Sequence, residues 1–209
     1  DRLLIEPSGL GHPAQLLAQL RQPPWLGVLA VQPALLVLDA AALAEQILQN
    51  HAAGEDIGLL DNLRTLDRTV RGLNIPVVIV PHHRWEKGDY ETWDHPTPTQ
   101  CKIMHMHHFA RGEWGGEWHP DFAPKDGDIV VQEHWGSSGF ANTDLDFRLK
   151  QQGVTHVIIV GLLANTCIEA TARYAAELGY HVTLVRDATA AAGAGRGAVA
   201  PHGNRVEFH

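Results

Sequence analysis

The sequence predicts an α/β protein in which a mostly parallel sheet is covered by helices on both faces. Two observations predict this fold class: five short runs rich in Val, Ile and Leu, and helical patterns between them. The runs are continuously apolar, as in strands that are buried on both faces of a parallel sheet. Helices between successive strands supply the crossovers that parallel pairing requires. We therefore expect a three-layer α/β/α sandwich.

Charged and titratable residues, which could bind a ligand or take part in catalysis, follow the predicted strands. The strands are expected at residues 34–38, 76–80, 128–131, 154–160 and 181–185. Asp39 comes after the first strand, His83 and Arg84 come shortly after the second, and Glu133 and His134 after the third. Ligands bind at the carboxyl ends of the strands in such sheets. The pattern therefore predicts a site at this edge of the sheet.

Three segments between the strands have the apolar spacing of helices, at residues 59–72, 143–152 and 168–178. Leu145 and Leu149 lie on one helical face, and Gly179 stands where many helices end in a left-handed residue. Residues 85–126 lack a strand pattern and are rich in Trp, His, Pro and Gly. We expect this segment, called the excursion below, to be irregular and to wall the pocket or carry an oligomer contact.

The composition is that of one soluble domain over residues 1–209, with atypical ends at 1–33 and 191–209. Of its residues, 44% are hydrophobic and 19% are charged, which is ordinary for a globular protein. The net charge of −8 argues against nucleic-acid or membrane partners, which favour a basic surface. The two cysteines are too few for a disulfide framework. With no signal peptide or membrane span in the sequence, we expect a cytoplasmic protein.

Cys167 is the candidate nucleophile. It follows the fourth predicted strand and a short turn, and it stands at the start of the next helix. A helix N-terminus lowers the pKa of a thiol, and its unpaired N–H groups can stabilise an oxyanion. The structural alternative is a buried cysteine that only packs. Asp39 is a candidate to exchange a proton with Cys167, and its structural alternative is the N-cap of a helix over 40–49.

Three motifs support a more specific interpretation. They are Gly-Phe-Ala-Asn-Thr-Asp-Leu at 139–145, Gly-Leu-Leu-Ala-Asn-Thr-Cys-Ile-Glu-Ala-Thr-Ala-Arg at 161–173, and Asp-Ala-Thr-Ala at 187–190. Together they resemble the isochorismatase-like cysteine hydrolases, which include nicotinamidases, N-carbamoylsarcosine amidohydrolases and ureido-compound amidohydrolases. The resemblance is strong over 128–190 and weaker over 34–84. It implies a Rossmann-like sandwich that hydrolyses a C–N bond of a small amide or ureido compound through a thioester.

The resemblance also implies an Asp-Lys-Cys triad, with Cys167 as the nucleophile and Asp39 as the acid/base. The lysine is missing here, because the third strand runs into Gln-Glu-His at 132–134. Either Glu133 or His134 takes its place, or the role of the lysine is lost. A protonated His134 would hold the thiolate by charge, whereas Glu133 would add a like charge.

Further site residues follow from the same resemblance. A cis peptide is implied at Leu162-Leu163, which would direct the N–H of Leu163 towards the oxyanion beside that of Cys167. Arg84 is a candidate to bind a substrate carboxylate bidentately. The other residues expected around the substrate are His83, Trp135, Phe140 and Asn165.

No metal or other cofactor is expected. Nicotinamidases of the family hold a metal through an Asp-x-His and a later His, and the spacing at 81–84 does not match. His105, His107 and His108 form a second cluster, without a helical zinc-binding pattern. The resemblance implies a homodimer or homotetramer. Two alternative functions stay open: vinyl-ether hydrolysis of an isochorismate-like compound with Asp39 as the acid, and a degenerate, non-catalytic family member.

Overall fold

One parallel sheet forms the centre of the protein, in a computed structural model that describes residues 33–38 and 58–191. Its strands are β1 Pro33–Leu38, β2 Val77–Val80, β3 Ile129–Val130, β4 His156–Leu162 and β5 His181–Ala190. Their order is β3-β2-β1-β4-β5, and every neighbouring pair is parallel. The chain therefore winds outwards on both sides of β1, as in doubly wound sheets. The predicted fold class is confirmed.

All five predicted strands exist, and two of them differ from the predicted length by two residues or more. β3 has two residues, and β5 continues to Ala190 where the prediction ended it at 185. The β5 extension pairs with the end of β4, through Gly161↔Thr189 and Leu162↔Ala190, after an irregularity in the register. Partners that are distant in sequence thus set the end of β5, and the local pattern does not contain them.

Helices cover both faces of the sheet. They are α1 Leu59–Gly72, α2 Pro98–Met106, α3 Leu145–Gln151 and α4 Glu169–Glu177. Leu63 and Val70 of α1 pack with Ile79 and Val160 on one face. Leu145, Leu149 and Ala172 of α3 and α4 pack with Val78 and Ile159 on the other. Because consecutive strand residues point to opposite faces, these two cores lie on either side of the sheet.

The excursion is more ordered than predicted, because it contains α2 and a 3₁₀ turn at Trp114–Gly116. Helix α2 begins with a capping box, in which Thr97 accepts from the Gln100 N–H and Gln100 accepts from the Thr97 N–H. Trp85, Tyr90, Ile103 and Ala110 form a small separate core within it. The prediction of an irregular segment was therefore wrong for residues 98–106, although the sequence Thr-Pro-Thr-Gln carried the signal.

Several predictions lie outside the described residues. They are the helix over 40–49, Asp39 and almost all of the two atypical ends. Within the described ranges, none of the helices combines the length and apolar character needed to cross a bilayer.

Candidate active site

Cys167 lies in a π-helical turn, Ala164–Ile168, between β4 and α4. The turn is wide because the Ile168 N–H reaches back five residues to the Leu163 carbonyl, at 3.2 Å. Helix α4 begins only at Glu169. The prediction that Cys167 opens this helix was therefore wrong, because Cys167 lies in the π-helical turn just before it. The Cys167 side chain is 8% exposed and belongs to the same buried cluster as Phe140. The predicted nucleophile and Phe140 are thus brought together.

The same turn and the residue before it contain other predicted site residues. The peptide bond between Leu162 and Leu163 is cis, which is the bond that the resemblance singled out. Leu163 is half-buried and Asn165 is exposed. One short turn therefore holds both predicted oxyanion residues, Leu163 and Cys167, together with the predicted substrate contact Asn165.

The central strand β1 leads to the same edge. Its last residue, Leu38, has Val80 of β2 and Gly161 of β4 as its Cα partners. Hence β1 lies between the strand that leads to His82 and the strand that leads to Cys167. The next residue, Asp39, is outside the described residues, and its role as acid/base stays a prediction.

A bulge brings His134 into the sheet. After β3, pairing with the β2 side resumes at His82↔His134, with one residue more on the β3 side. The His134 side chain is fully buried, and its Nδ1 lies 2.7 Å from the Gly136 carbonyl oxygen. Because a carbonyl oxygen only accepts, Nδ1 carries the hydrogen. The His134 ring meets His82 edge-on at 5.2 Å between centroids.

Glu133 is the centre of a charged network at this bulge. Its carboxylate accepts from Arg84 Nε at 2.7 Å, from the Arg84 N–H at 3.0 Å and from His83 Nδ1 at 3.2 Å. Arg111 of the excursion adds contacts at 3.3 Å to both oxygens. Partial burial acts to raise the pKa of Glu133, but the bonds from His83 and Arg84 lower it to about 2. Glu133 is therefore held as a carboxylate.

His83 bridges two carboxylates. The hydrogen bond to Glu133 raises the pKa of His83, against the opposing effect of burial, and a second bond from Nε2 to Asp89 at 2.8 Å adds to the rise. The imidazole thus stays protonated to a higher pH than a solvated histidine. Asp89 belongs to the excursion, so this charged pair ties the excursion to the end of β2.

Arg84 is engaged inside the protein. Besides the bonds to Glu133, its guanidinium lies 5.3 Å from the ring centroid of Trp118, within cation–π range. A substrate carboxylate at Arg84 would have to compete with Glu133. The role of Arg84 in substrate binding stays a prediction.

Aromatic side chains of the excursion meet Trp135. The Trp135 ring lies 5.3 Å from Trp93, which lies 5.1 Å from Tyr90, and Tyr90 lies 6.3 Å from His83. Trp93 and Trp135 are 42% and 38% exposed, which is unusual for rings of this size. The excursion therefore contributes an accessible aromatic surface next to the ends of β2 and β3.

The loop from Trp135 to Phe140 crosses from β3 towards α4. The Gly139 N–H donates to the Thr171 hydroxyl at 2.9 Å, and Thr171 lies one turn after Cys167. A Cβ on Gly139 would lie 2.6 Å from Val80 Cγ1. The absence of a side chain at Gly139 thus permits the close approach between this loop and the sheet.

We expect Gly139→Ala to lower the free energy of unfolding by about 1–3 kcal/mol, the usual cost of overpacking. The β-branched Val80 cannot swing away, because its χ1 is restricted. The measurement is urea denaturation at neutral pH. Gly136→Ala is the matched control, since a Cβ there meets nothing within 4 Å. Equal stability of the two variants would contradict the prediction.

The histidines of the excursion make local contacts. His107 stacks on Trp85 at 4.4 Å, and His105 Nδ1 lies 2.7 Å from the Cys101 carbonyl oxygen. Among the described residues, no group of three or more His, Cys, Asp and Glu side chains is arranged to hold a metal ion. Cys101 and Cys167 are not joined by a disulfide.

Sequence reasoning missed the partners that the excursion supplies. Asp89, Arg111 and Trp118 each contact a predicted site residue. They lie in a segment without periodicity, and no local signal marks them. Thr166 was missed as well, although its position next to Cys167 was a signal that it could contact the sulfur.

Comparisons with known proteins agree with this architecture. The isochorismatase domain model matches residues 33–200. Ureidoacrylate amidohydrolase RutB from Pantoea ananatis is 28% identical over 203 residues, which cover 90% of this chain and 79% of the relative.

Two solved structures are similar over the same region. N-carbamoylsarcosine amidase from Thermoplasma acidophilum is 30% identical with a TM-score of 0.59, covering 77% of this chain and 85% of that one. An isochorismatase-like hydrolase from Alkaliphilus metalliredigens is 28% identical with a TM-score of 0.61, covering 77% and 84%.

Proposed function

The chain belongs to the isochorismatase domain family, and from this premise we propose that it hydrolyses a C–N bond in a small amide or ureido compound. The observation that carries the proposal is the placement of Cys167 in the π-helical turn at the carboxyl end of β4, immediately before α4. The names of two relatives, a ureidoacrylate amidohydrolase and an N-carbamoylsarcosine amidase, support this substrate class.

The proposed reaction has two halves. The Cys167 sulfur attacks the carbonyl carbon, and the backbone N–H groups of Leu163 and Cys167 stabilise the resulting oxyanion. Asp39 accepts the thiol proton and returns it to the leaving nitrogen as the C–N bond breaks. A water molecule, deprotonated by the same carboxylate, then attacks the thioester and releases the acid or carbamate together with the free thiol.

Two observations favour His134 over Glu133 in the place of the missing lysine. Glu133 is held as a carboxylate by His83, Arg84 and Arg111, so it is poorly suited to accept or donate a proton near neutral pH. His134 is fully buried, and its Nδ1 hydrogen is fixed on the Gly136 carbonyl, which fixes the orientation of the ring. We propose that Glu133 positions Arg84 and the excursion, and that a protonated His134 takes the place of the lysine by stabilising the thiolate through its charge.

Trapping the covalent intermediate tests the proposal. The protein is mixed with carbamoyl, ureido and simple amide compounds, quenched in acid within milliseconds to seconds, and analysed by peptide mass spectrometry. We expect an acyl or carbamoyl adduct on the peptide that carries Cys167, and none on the peptide that carries Cys101. Full turnover of an amide without an adduct at any time point would refute the thioester, and turnover of an isochorismate-like compound alone would favour vinyl-ether hydrolysis.

A further inference from the structure

Thr166 stands directly before the proposed nucleophile, and its hydroxyl reaches the sulfur. Thr166 Oγ1 lies 3.8 Å from Cys167 Sγ and 3.5 Å from the Leu163 carbonyl oxygen. A hydroxyl has one hydrogen to donate. It therefore serves only one of these two acceptors at a time, and the better acceptor decides what Thr166 does.

The Leu163 carbonyl oxygen already has two donors. It accepts the Thr166 N–H at 3.1 Å and the Ile168 N–H at 3.2 Å. A carbonyl oxygen offers two lone pairs, so the Thr166 hydroxyl would be a third donor, at a distance beyond the usual range for O–H···O bonds. The backbone bonds of the π-helical turn thus make the sulfur the better acceptor for this hydroxyl.

Because the Cys167 sulfur is buried, a hydrogen bond from the Thr166 hydroxyl would favour its ionised form. Cys167 is buried among apolar side chains that include Phe140, Ile168 and Ala172. A charge in apolar surroundings is unfavourable unless donors compensate for it. A thiolate accepts a hydrogen bond more strongly than a thiol, because bonds to ionised acceptors are stronger.

We propose that Thr166 donates its hydroxyl hydrogen bond to the Cys167 thiolate and thereby increases the fraction of ionised nucleophile at neutral pH. This inference rests on the proposed function, because it matters for catalysis only if Cys167 is the nucleophile. No covalent bond to Thr166 forms or breaks. The thiol proton leaves to the acid/base or to water, and the hydroxyl keeps its own hydrogen.

The pH profile of thiol alkylation tests the proposal. Labelling of Cys167 by iodoacetamide is followed in a Cys101→Ser background, so that a single thiol reacts. We expect Thr166→Val to move the midpoint of the rate profile up by about one pH unit. Labelling below that midpoint slows only about three- to fourfold, because a thiolate of higher pKa is also the better nucleophile. For the same reason the plateau rate at high pH does not fall. Thr166→Ser keeps the hydroxyl and restores the wild-type midpoint.

Controls separate this effect from a change in access or folding. Thr69→Val removes a hydroxyl that donates to the Thr65 carbonyl on α1, and it leaves the profile unchanged. Thr166→Ala repeats the loss of the hydroxyl with a smaller side chain. An unchanged midpoint in both Thr166→Val and Thr166→Ala overturns the proposal, and so does a lower plateau with an unchanged midpoint.

The same samples distinguish failure of this inference from failure of the proposed function. If Cys167→Ala keeps full hydrolytic activity, Cys167 is not the nucleophile and the thioester mechanism of the proposed function is wrong. If Cys167→Ala is inactive while Thr166→Val labels with the wild-type profile, only the role of Thr166 is wrong.

Discussion

Replacing Cys167 by alanine is expected to reduce kcat for amide or ureido hydrolysis on the order of 10⁴-fold or more, the usual scale for loss of a nucleophile. Without the sulfur, the thioester cannot form and water must attack the amide directly. The proposed oxyanion donors are backbone groups and remain in this variant, so we expect binding of the substrate to change much less than kcat. The measurement is steady-state release of ammonia or amine from the compound that the trapping experiment identifies.

Cys101→Ala is the matched control for this prediction. Cys101 is the other free thiol, and it lies on α2 of the excursion, where its sulfur contacts the Pro96 carbonyl. We expect this variant to keep wild-type kcat. Thermal unfolding of both variants confirms that each is folded at the assay temperature. Wild-type turnover by Cys167→Ala would contradict covalent catalysis and leave Asp39 as the remaining candidate acid.

The strands were predictable because each contains a short, largely apolar run rich in Val, Ile and Leu. The limits of those strands were not, because pairing partners set them. Thr189 and Ala190 extend β5 by pairing with the end of β4, and that contact depends on the assembled sheet. Helix α2 is a different case, since the capping box at Thr97 and Gln100 is local and was present in the sequence.

The candidate site divides in the same way. The position of Cys167 was predictable, since its motif is contiguous and lies between a strand and a helix, whereas its role as the nucleophile stays a prediction. The environment of Glu133 was not predictable, because Arg111 is separated from it by 22 positions and reaches it only after the excursion has folded. From the sequence, charge alone favours His134 over Glu133 in the place of the missing lysine. The structure adds the contacts of the two side chains, since Glu133 is paired with Arg84 and Arg111, whereas His134 Nδ1 bonds to the Gly136 carbonyl.

The charged network around Glu133 gives the second large effect that we expect. Glu133→Gln removes the charge that pairs with His83, Arg84 and Arg111, while the size of the side chain stays the same. Removing one charge from a partly buried ion network leaves its partners under-compensated. We expect the free energy of unfolding at pH 7 to fall by about 2–3 kcal/mol, measured by urea denaturation.

Glu169→Gln is the matched control, because Glu169 makes an exposed pair with Arg173 one turn along α4. Such pairs contribute about 0.5 kcal/mol or less. The pH dependence adds a second check. The pKa of Glu133 is lowered from 4.5 to about 2, so its stabilisation is present above pH 4.5 and is lost as the pH falls through 2. The difference between wild type and Glu133→Gln should therefore narrow in acid, and an unchanged difference would contradict the assignment.

The kinetics of Glu133→Gln separate a positioning residue from an acid/base. If Glu133 only anchors Arg84 and the excursion, kcat at a temperature where the variant is folded falls less than about tenfold, because the groups that exchange protons are intact. Loss of a general acid/base costs about 10²–10⁴-fold and changes the pH profile of kcat. If kcat of the folded Glu133→Gln variant fell by that much, Glu133 would be assigned a direct role in proton transfer. A small fall, together with the loss of stability, would leave His134 as the residue in the place of the lysine.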